Sequence, residues 1–508
     1  MKRQLSKAFL LLLPILCSGM ENVVPKEGGI CFRFDDNQTI RKWNDMAAVF
    51  RPYGCKFSMS IISHGIHAPE YAAMLRDFQR EGHEIMDHTA SHAVFTLAAR
   101  TPEERNEYEK HPDFDHWNGK KACFRSIPDP AGLSKPFRAN AQGKRVFGFS
   151  DETARQLKRG KYLYHPQSKT ACLYSWNNGE LRLRSFWNED TVDLPERNNT
   201  EFQMVSPQGG FPASDALLRL QAKVSAENFK RAGLRQPVSW IQPGGYEPVL
   251  TADNVRRVYA PLGYTGGATY PNAARKVYNE PEPERCRFAM MWGNFSLERE
   301  DISKLRHEIA NRVALHQVLI GSSHMKPVPA VGWTKYLDRH RELLQWCKEK
   351  RIPVRTQSEW TERLYLRKPD PMYNLMPPLT VDRDEDGIPD GYLPAKTVSV
   401  ENGAFLAKQS GLIFHIRQLT GMETGPNRLT FQLKGAPGTV IRVRIQPYIA
   451  PRKPAFTKDF TQTLETTAPH METVRFDIPA GTRYLNLEFH AAKLPAPLSL
   501  GSFSLTKE

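Results

Sequence analysis

The chain has 508 residues, 40% hydrophobic, 10% aromatic and 25% charged, an ordinary globular composition in a chain too long for one core, so two or three domains are expected. Its 33 Gly and 38 Pro follow no repeat, which excludes collagen-like and low-complexity chains, and a mean hydropathy of −0.53 excludes a polytopic membrane protein. The formal charge of +15 suits an acidic glycan or an anionic surface, but no Lys/Arg stripe with interleaved aromatics gathers it, so nucleic acid is not an expected partner.

Met1, Lys2, Arg3 and Lys7 lead into an apolar stretch from Ala8 to Cys17. A charged start followed by a short apolar run reads as an export signal over 1–19 rather than a spanning helix. The expected location is therefore outside the cytoplasm of a bacterium, whether periplasmic, secreted or on the outer surface as a lipoprotein. Cys17 is the candidate lipidated cysteine and the only expected tie to a membrane. Cys31, Cys55, Cys123, Cys172, Cys286 and Cys347 show no CxxC spacing, and export would permit disulfides among them in a pairing the sequence does not fix.

Residues 29–34 read as a buried strand ending at Asp35-Asp36. A helix is expected over 39–50, with Ile40, Trp43, Ala47 and Phe50 on one face, then a strand over 56–62, a helix over 68–81 and a strand over 84–86 that delivers His88 to a loop. This alternation predicts parallel βα units with chemistry at the carboxyl ends of the strands. From 96 to 205 the pattern changes to polar, basic and aromatic segments of period two, a β-rich insertion that is either a solvated antiparallel sheet or a wall of a glycan cleft. The α/β pattern resumes with a helix over 213–233, a strand over 238–241 and a helix over 251–262. It closes with a strand over 315–320 that leads to His324, a helix over 331–350 and a strand over 352–356. Residues 367–394 form a Pro- and Asp-rich connector, and 395–508 read as short alternating strands, such as 428–433, 440–445 and 484–489, of an all-β sandwich.

Asp35 and Asp36 place two carboxylates at the end of a hydrophobic strand, and His88 and His92 stand four apart, near enough to share a metal if their loop begins a helix. Asp36, His88 and His92 would make a two-His, one-carboxylate site whose open positions let a metal acidify water or polarise a carbonyl. Each piece alone has an ordinary structural reading, an Asp-Asp turn or two histidines on a helix. Together and in order they resemble the polysaccharide deacetylase family, also called the NodB homology domain or carbohydrate esterase family four, over roughly 28–95 and 212–360. The family phrase Thr-Phe-Asp-Asp-Gly stands here as Arg33-Phe34-Asp35-Asp36-Asn37, and Gly-His-Glu-Ile-Gly-Asn-His-Thr-x-x-His as Gly82 to His92. The resemblance implies that Asp35 is the general base, that Asp36, His88 and His92 bind Zn²⁺ or another divalent transition metal, and that His83 is a scaffold residue.

The family's Arg-x-Pro-Gly-Gly motif looks like Ile241-Gln242-Pro243-Gly244-Gly245, with Ile241 where the family has the Arg that orients the catalytic Asp. Gln242 beside it can donate a hydrogen bond but no charge. By resemblance the Gly244 N–H serves the oxyanion, while Gln242, Pro243 and Gly245 line the substrate. His324 ends its strand as the family's general acid does. The acid that tunes that histidine in the family has no convincing counterpart, Asp301 being a distant candidate. The implied fold is a distorted (β/α) barrel of NodB type with a β-rich insertion, followed by an all-β sandwich.

Four segments are expected: 1–19, a signal; 20–366, the catalytic domain, with its insertion over 96–205; 367–394, a linker; and 395–508, a sandwich that is either carbohydrate-binding or packing for the catalytic domain. In the linker, Asp382, Asp384, Asp386 and Asp390 stand at positions 1, 3, 5 and 9 around Gly387 at position 6, a spacing that wraps oxygen ligands about Ca²⁺ and resembles thrombospondin type 3 loops. The expected function is hydrolysis of N-acetyl or O-acetyl groups on an acetylated glycan. The alternatives are a glycan-binding protein on a NodB-like scaffold that has lost catalysis, and a hydrolase of other non-peptide C–N bonds.

Overall fold

The protein is described by a computed structural model that covers residues 24–90, 94–96, 123–125, 134–158, 162–167, 170–184, 194–205, 215–243, 252–268, 287–288, 295–299, 301–450 and 453–508. The expected signal with Cys17, and His92, Gly244, Gly245 and Cys286, lie outside the described residues.

Strand β1 (Gly29–Asp35) is buried along its whole length. Its pleat separates two environments. Ile30, Phe32 and Phe34 join an apolar cluster with Trp43, Phe50 and Phe57, whereas Cys31 joins Trp360, and Arg33 and Asp35 pair with each other. Phe32 meets Phe50 edge-on at 5.0 Å and Phe34 meets Phe57 at 5.4 Å. Such aromatic pairs add about 0.5–1.5 kcal/mol each beyond the area they bury. The helix Ile40–Phe50 that packs on this side is started by Thr39, whose side chain accepts the Lys42 N–H, and it buries Trp43, Met46, Ala47, Val49 and Phe50.

Strands β2 (Ser58–Ile61) and β3 (Glu84–Asp87) flank the helix Pro69–Glu81, which Gly82 ends at φ 92°, the left-handed conformation that glycine adopts without strain. His83 then accepts the Phe57 N–H at its Nδ1 and lies tilted against the Phe57 ring at 3.9 Å, pinning the chain where β3 begins.

Two short parallel strands follow, β4 (Val94–Thr96) and β5 (Cys123–Arg125). Next come β6 (Phe137–Gly143), β7 (Arg145–Phe147), β8 (Tyr162–His165), β9 (Thr170–Asn177), β10 (Glu180–Arg184) and β11 (Leu194–Val205), which close into an antiparallel barrel in the order β10-β7-β6-β11-β8-β9. The β-rich segment is thus a closed barrel around Val146, Leu157, Leu163, Leu181 and Phe202. Period-two alternation is common to open and closed sheets. Here β11 makes two register shifts against β6, and such irregularities bend a strand far enough to close a small barrel.

Strands β12 (Ser239–Ile241), β13 (Gly266–Ala268) and β14 (Val318–Ser323) complete a six-stranded parallel sheet in the order β13-β12-β3-β2-β1-β14, the half-barrel of a distorted (β/α) arrangement. Two strands differ from expectation. The strand foreseen over 315–320 begins only at Val318, because His316 turns the chain at φ 60° and Leu315 belongs to the core of the C-terminal sandwich. Of the segment 352–356 only Val354 bridges to β1, at Ile30, since Thr356 is already the cap of the helix Gln357–Thr361.

Residues 393–507 form two antiparallel sheets packed face to face around Phe405, Phe414, Phe431, Phe489 and Phe503. The sandwich meets the parallel sheet through the chain just before β14. Thr420 donates to the Leu315 carbonyl at 2.9 Å, Gln317 to the Gln418 carbonyl at 2.7 Å, and His316 to the Leu375 carbonyl at 2.8 Å. These contacts sit at the amino end of β14. The strand then runs roughly 20 Å to its other end, at about 3.3 Å per residue, so the sandwich stands behind the edge that carries His324.

Cys31, Cys55 and Cys347 are free thiols, so these three do not use the disulfide option that export would give them. No helix among the described residues is long and apolar enough to cross a membrane.

Burial holds the rings of His83, His316 and His340 neutral, each pushed down to about 4. The unfolded chain binds protons near the ordinary value of about 6.5, so between there and about 4 it takes up protons that the native rings refuse. Stability is therefore full above the upper limit and falls as pH is lowered through this window. Denaturant unfolding at pH 7.5 and pH 5 should differ by on the order of 2 kcal/mol per ring, with His316→Gln removing one share; an unchanged midpoint would contradict the burial of neutral rings.

Candidate active site

The carboxyl edge of the parallel sheet gathers the expected residues because β3, β2, β1 and β14 lie side by side in that order. Asp35 ends β1 and is 1% exposed. Its Oδ1 accepts Arg33 Nε at 3.0 Å and the Ser60 hydroxyl at 2.5 Å, and its Oδ2 accepts Arg33 Nη2 at 3.3 Å, with the Ser322 hydroxyl farther off at 3.5 Å. The pairing register explains the set, since Ser60 lies opposite Asp35 on β2 and Ser322 lies opposite Arg33 on β14. Burial alone would raise the Asp35 carboxyl, but the Arg33 guanidinium first, and then His88, Ser60 and His324, hold it below its usual value. The group is a carboxylate at neutral pH and is able to accept a proton.

Asp36 turns the chain off the strand at φ 70°, a strained conformation for a residue with a side chain. Its Oδ1 stands 3.5 Å from Nε2 of His88, whose ring is buried. His88 Nδ1 donates to the Ile241 carbonyl at 3.3 Å, and its backbone N–H donates to the Ile61 carbonyl at 3.0 Å. With Nδ1 on that carbonyl, Nε2 is the ring nitrogen that faces the carboxylate oxygen. An imidazole nitrogen whose other ring N–H rests on a carbonyl, beside a carboxylate, suits a divalent transition metal. The described ligands therefore fit the expected metal; the third, His92, lies outside the described residues.

Beneath His88, Asp87 is fully buried and accepts the Ser225 hydroxyl, the Tyr264 hydroxyl and the Thr89 N–H. Burial pushes its carboxyl up to about 6. Thr89 adopts φ 66°, so a tied-down turn on either side fixes the ring of His88.

His324 follows β14 and is exposed at the same edge. The carboxylate of Glu298 accepts the backbone N–H groups of His324 and Lys326, both at 2.9 Å, and the Ser323 hydroxyl at 2.7 Å, stapling the loop that presents the imidazole. Asp301 instead caps the helix Ile302–Ala314 by accepting the Ser303 N–H at 2.8 Å. At the end of β12, Gln242 is buried and its N–H donates to the Ala268 carbonyl at 2.9 Å, while Pro243 is buried beside it. Ile241 packs against Met86 and Ala268.

Arg33, Ser60, Ser322 and Glu298 were not singled out from the sequence. For Arg33 a signal existed, a charge inside an otherwise apolar strand. The others carry none, because a strand serine or a loop glutamate becomes informative only when pairing puts it beside the site.

In the connector, Asp382, Asp384 and Asp390 each offer an oxygen within 4.8 Å of the others, while Asp386 groups with Asp384 and His307. Asp382 accepts the N–H groups of Asp386 and Gly387, and Gly387 takes φ 83°, the turn expected of the sixth position. Arg383 holds Asp390 through its N–H at 3.0 Å and its Nη1 at 2.6 Å. Burial, and then the charge of Asp386, push Asp384 up to about 6, a crowding of carboxylates that a cation would relieve.

No protein-family model and no curated protein matches the chain. Among solved structures it is similar to a family 4 carbohydrate esterase from Streptomyces lividans in complex with acetate, at 9% identity over 65% of this chain and 91% of that chain, with a TM-score of 0.27. It is also similar to the peptidoglycan deacetylase PdaC from Bacillus subtilis, at 9% identity over 67% of this chain and 94% of that one, TM-score 0.27. A xylan-binding domain from Paenibacillus barcinonensis matches at 12% identity over 24% of this chain and 96% of that one, TM-score 0.20. These are partial overlaps of architecture, and the chemistry rests on the residues of the site.

After loading with Zn²⁺ and desalting, Asp36→Ala and His88→Ala should lose most of the metal that the unaltered protein retains, whereas Asp35→Asn should keep it. A full complement in Asp36→Ala, measured by elemental analysis, would refute the ligand assignment.

Proposed function

We propose that the protein is an exported, metal-dependent carbohydrate deacetylase that hydrolyses N-acetyl or O-acetyl groups on a glycan. The observation that carries this reading is the standing of one ionised carboxylate, Asp35, between two partners at one sheet edge. The Asp36–His88 pair lies to one side and His324 to the other, and both histidines act electrostatically on Asp35. A carboxylate base, a separate set of metal ligands and an exposed imidazole acid are the parts that acyl hydrolysis needs.

Asp36, His88 and His92 would hold Zn²⁺ or a neighbouring divalent ion, which when bound supplies Lewis acidity for the acetyl carbonyl and for water. Asp35 accepts the proton of the attacking water. Its Oδ2 is the oxygen better suited to this, since its contacts from Arg33 and Ser322 are longer than those that Arg33 and Ser60 make to Oδ1. The Gly244 N–H is assigned to the oxyanion and Gln242, Pro243 and Gly245 to the substrate wall. His324 protonates the departing amine or alcohol. An amide needs that proton more than an ester does, because an amine anion is a poor leaving group, so loss of His324 should harm N-deacetylation more than O-deacetylation.

A glycan is favoured over a small cyclic or linear amide by the export signal and by the appended sandwich. The retained base and acid favour an enzyme over a binding protein that has lost catalysis. The connector loop is assigned to Ca²⁺, bound through Asp382, Asp384, Asp386 and Asp390. It lies against the helices Ile302–Ala314 and Gly332–Glu349 through His307–Asp384 at 2.6 Å and Trp346 donating to the Arg383 carbonyl at 3.2 Å. Its role is to stiffen the junction between the barrel and the sandwich.

Acetate release should be measured from a panel of N- and O-acetylated glycans and small amides, with and without added Zn²⁺. Release from glycans that needs metal and falls by about 10²–10⁴-fold in Asp35→Asn is the expected result. Bound metal with no release from any substrate would overturn the enzyme reading. Separately, Ca²⁺ at 100 times its Kd should raise stability by about 2.7 kcal/mol over the chelated protein and do nothing for Asp384→Ala; equal melting with and without Ca²⁺ would remove the loop assignment.

A further inference from the structure

Building on the reading of Asp35 as the base, we infer that Arg33 is its positioning residue, a guanidinium supplied from within the same strand. Two residues apart on an extended strand, the two side chains leave on the same side of the sheet. Arg33 is among the largest fully buried side chains, and its fork meets the carboxylate with Nε on Oδ1 at 3.0 Å and Nη2 on Oδ2 at 3.3 Å. Such a fork fixes the plane of the carboxylate as well as its place. Nη2 also reaches the Ser322 hydroxyl at 3.2 Å, so the guanidinium is itself held by the next strand.

Stability does not explain this arrangement. A guanidinium and a carboxylate buried together recover little over an apolar pair of the same volume, and the side chains on the other face of β1 are apolar and close-packed. The pair lies instead at the one end of the strand where Asp36 and His88 meet. Its effect on Asp35 is selective. Arg33 Nε and Ser60 hold Oδ1 at 3.0 and 2.5 Å, whereas Oδ2 has the longer contacts, from Arg33 Nη2 at 3.3 Å and Ser322 at 3.5 Å, and is the more weakly held oxygen. Arg33 thus fixes the plane of the carboxylate, and Ser60 makes Oδ1 its more tightly held oxygen. Strand β12 supplies no such charge at its carboxyl end, where Ile241 packs with Met86 and Ala268.

The test compares Arg33→Met, Arg33→Lys, Asp35→Asn and the double variant Arg33→Met/Asp35→Asn on the best acetylated substrate, with metal content and unfolding midpoint measured for each. Arg33→Met should lower kcat by roughly 10²-fold while KM stays within about threefold and the metal is retained, because a displaced base impairs the chemical step and not binding. Arg33→Lys, with the charge but no fork, should recover only part of the loss. In the Asp35→Asn background, removing Arg33 should cost little more, since it acts through the missing carboxylate.

If Arg33→Met does not fold, Arg33→Lys decides: a kcat deficit at unchanged KM supports the role, and an unaltered kcat overturns it. Unaltered kcat in a folded Arg33→Met also overturns it, as do losses that multiply in the double variant. An active protein that Asp35→Asn abolishes and Arg33→Met leaves intact defeats this inference alone. A protein with no activity on any substrate defeats the reading of the site, and the inference with it.

Discussion

The site depends on one buried ion pair at the carboxyl end of an interior strand of the parallel sheet. Burial raises a carboxyl, and an unpaired buried charge is costly, so Asp35 persists as a carboxylate inside the sheet chiefly because Arg33 shares its environment. Ser60 and Ser322 from the flanking strands complete the frame, which makes the geometry of this carboxylate a property of three strands at once. Polar side chains continue along this face, with Ser58 donating to Glu84 at 2.6 Å, while the opposite face is built from Phe, Met and Ile. A strand buried on both sides therefore has one apolar face that holds the fold and one polar face that organises the site.

The same division runs along the sheet. Its carboxyl edge carries the strained turns at Asp36 and Thr89 that aim carboxylate and imidazole at one another. Strain of this kind persists only where neighbours over-determine it, and here the buried Asp87 network and the Ile241 carbonyl do so. The opposite end of β14 is where the sandwich docks, through Leu315, His316 and Gln317. The docking contacts and the Asp35–Asp36–His88 edge are thus separated by the length of a strand, and the sandwich can steady the sheet without intruding on that edge. The acidic connector adds a second brace by lying across two outer helices.

Much of this was legible from residue order alone. Alternating strand and helix periods gave the parallel sheet, the Asp35-Asp36 and His88 signals fell at strand ends, and period-two segments gave the β-rich insertion and the sandwich. These are short-range features, in which side-chain spacing along the chain reports which face is buried. The strand over 315–320 was misplaced because its first apolar residue belongs to a different core, a distinction that hydrophobicity does not encode.

What the sequence determined by itself is that Asp35, Asp36, His88 and His324 stand at the carboxyl ends of strands. What only the tertiary structure decided is which residues surround them: that Arg33 faces Asp35 and not a helix, that Ser60 and Ser322 close around it, that Glu298 rather than Asp301 holds the His324 loop, and that the insertion closes into a barrel. The physical reason is register. Pairing between strands places residues far apart in the chain, such as Arg33 and Ser322, directly opposite one another, and nothing in the local spacing of either segment records the alignment.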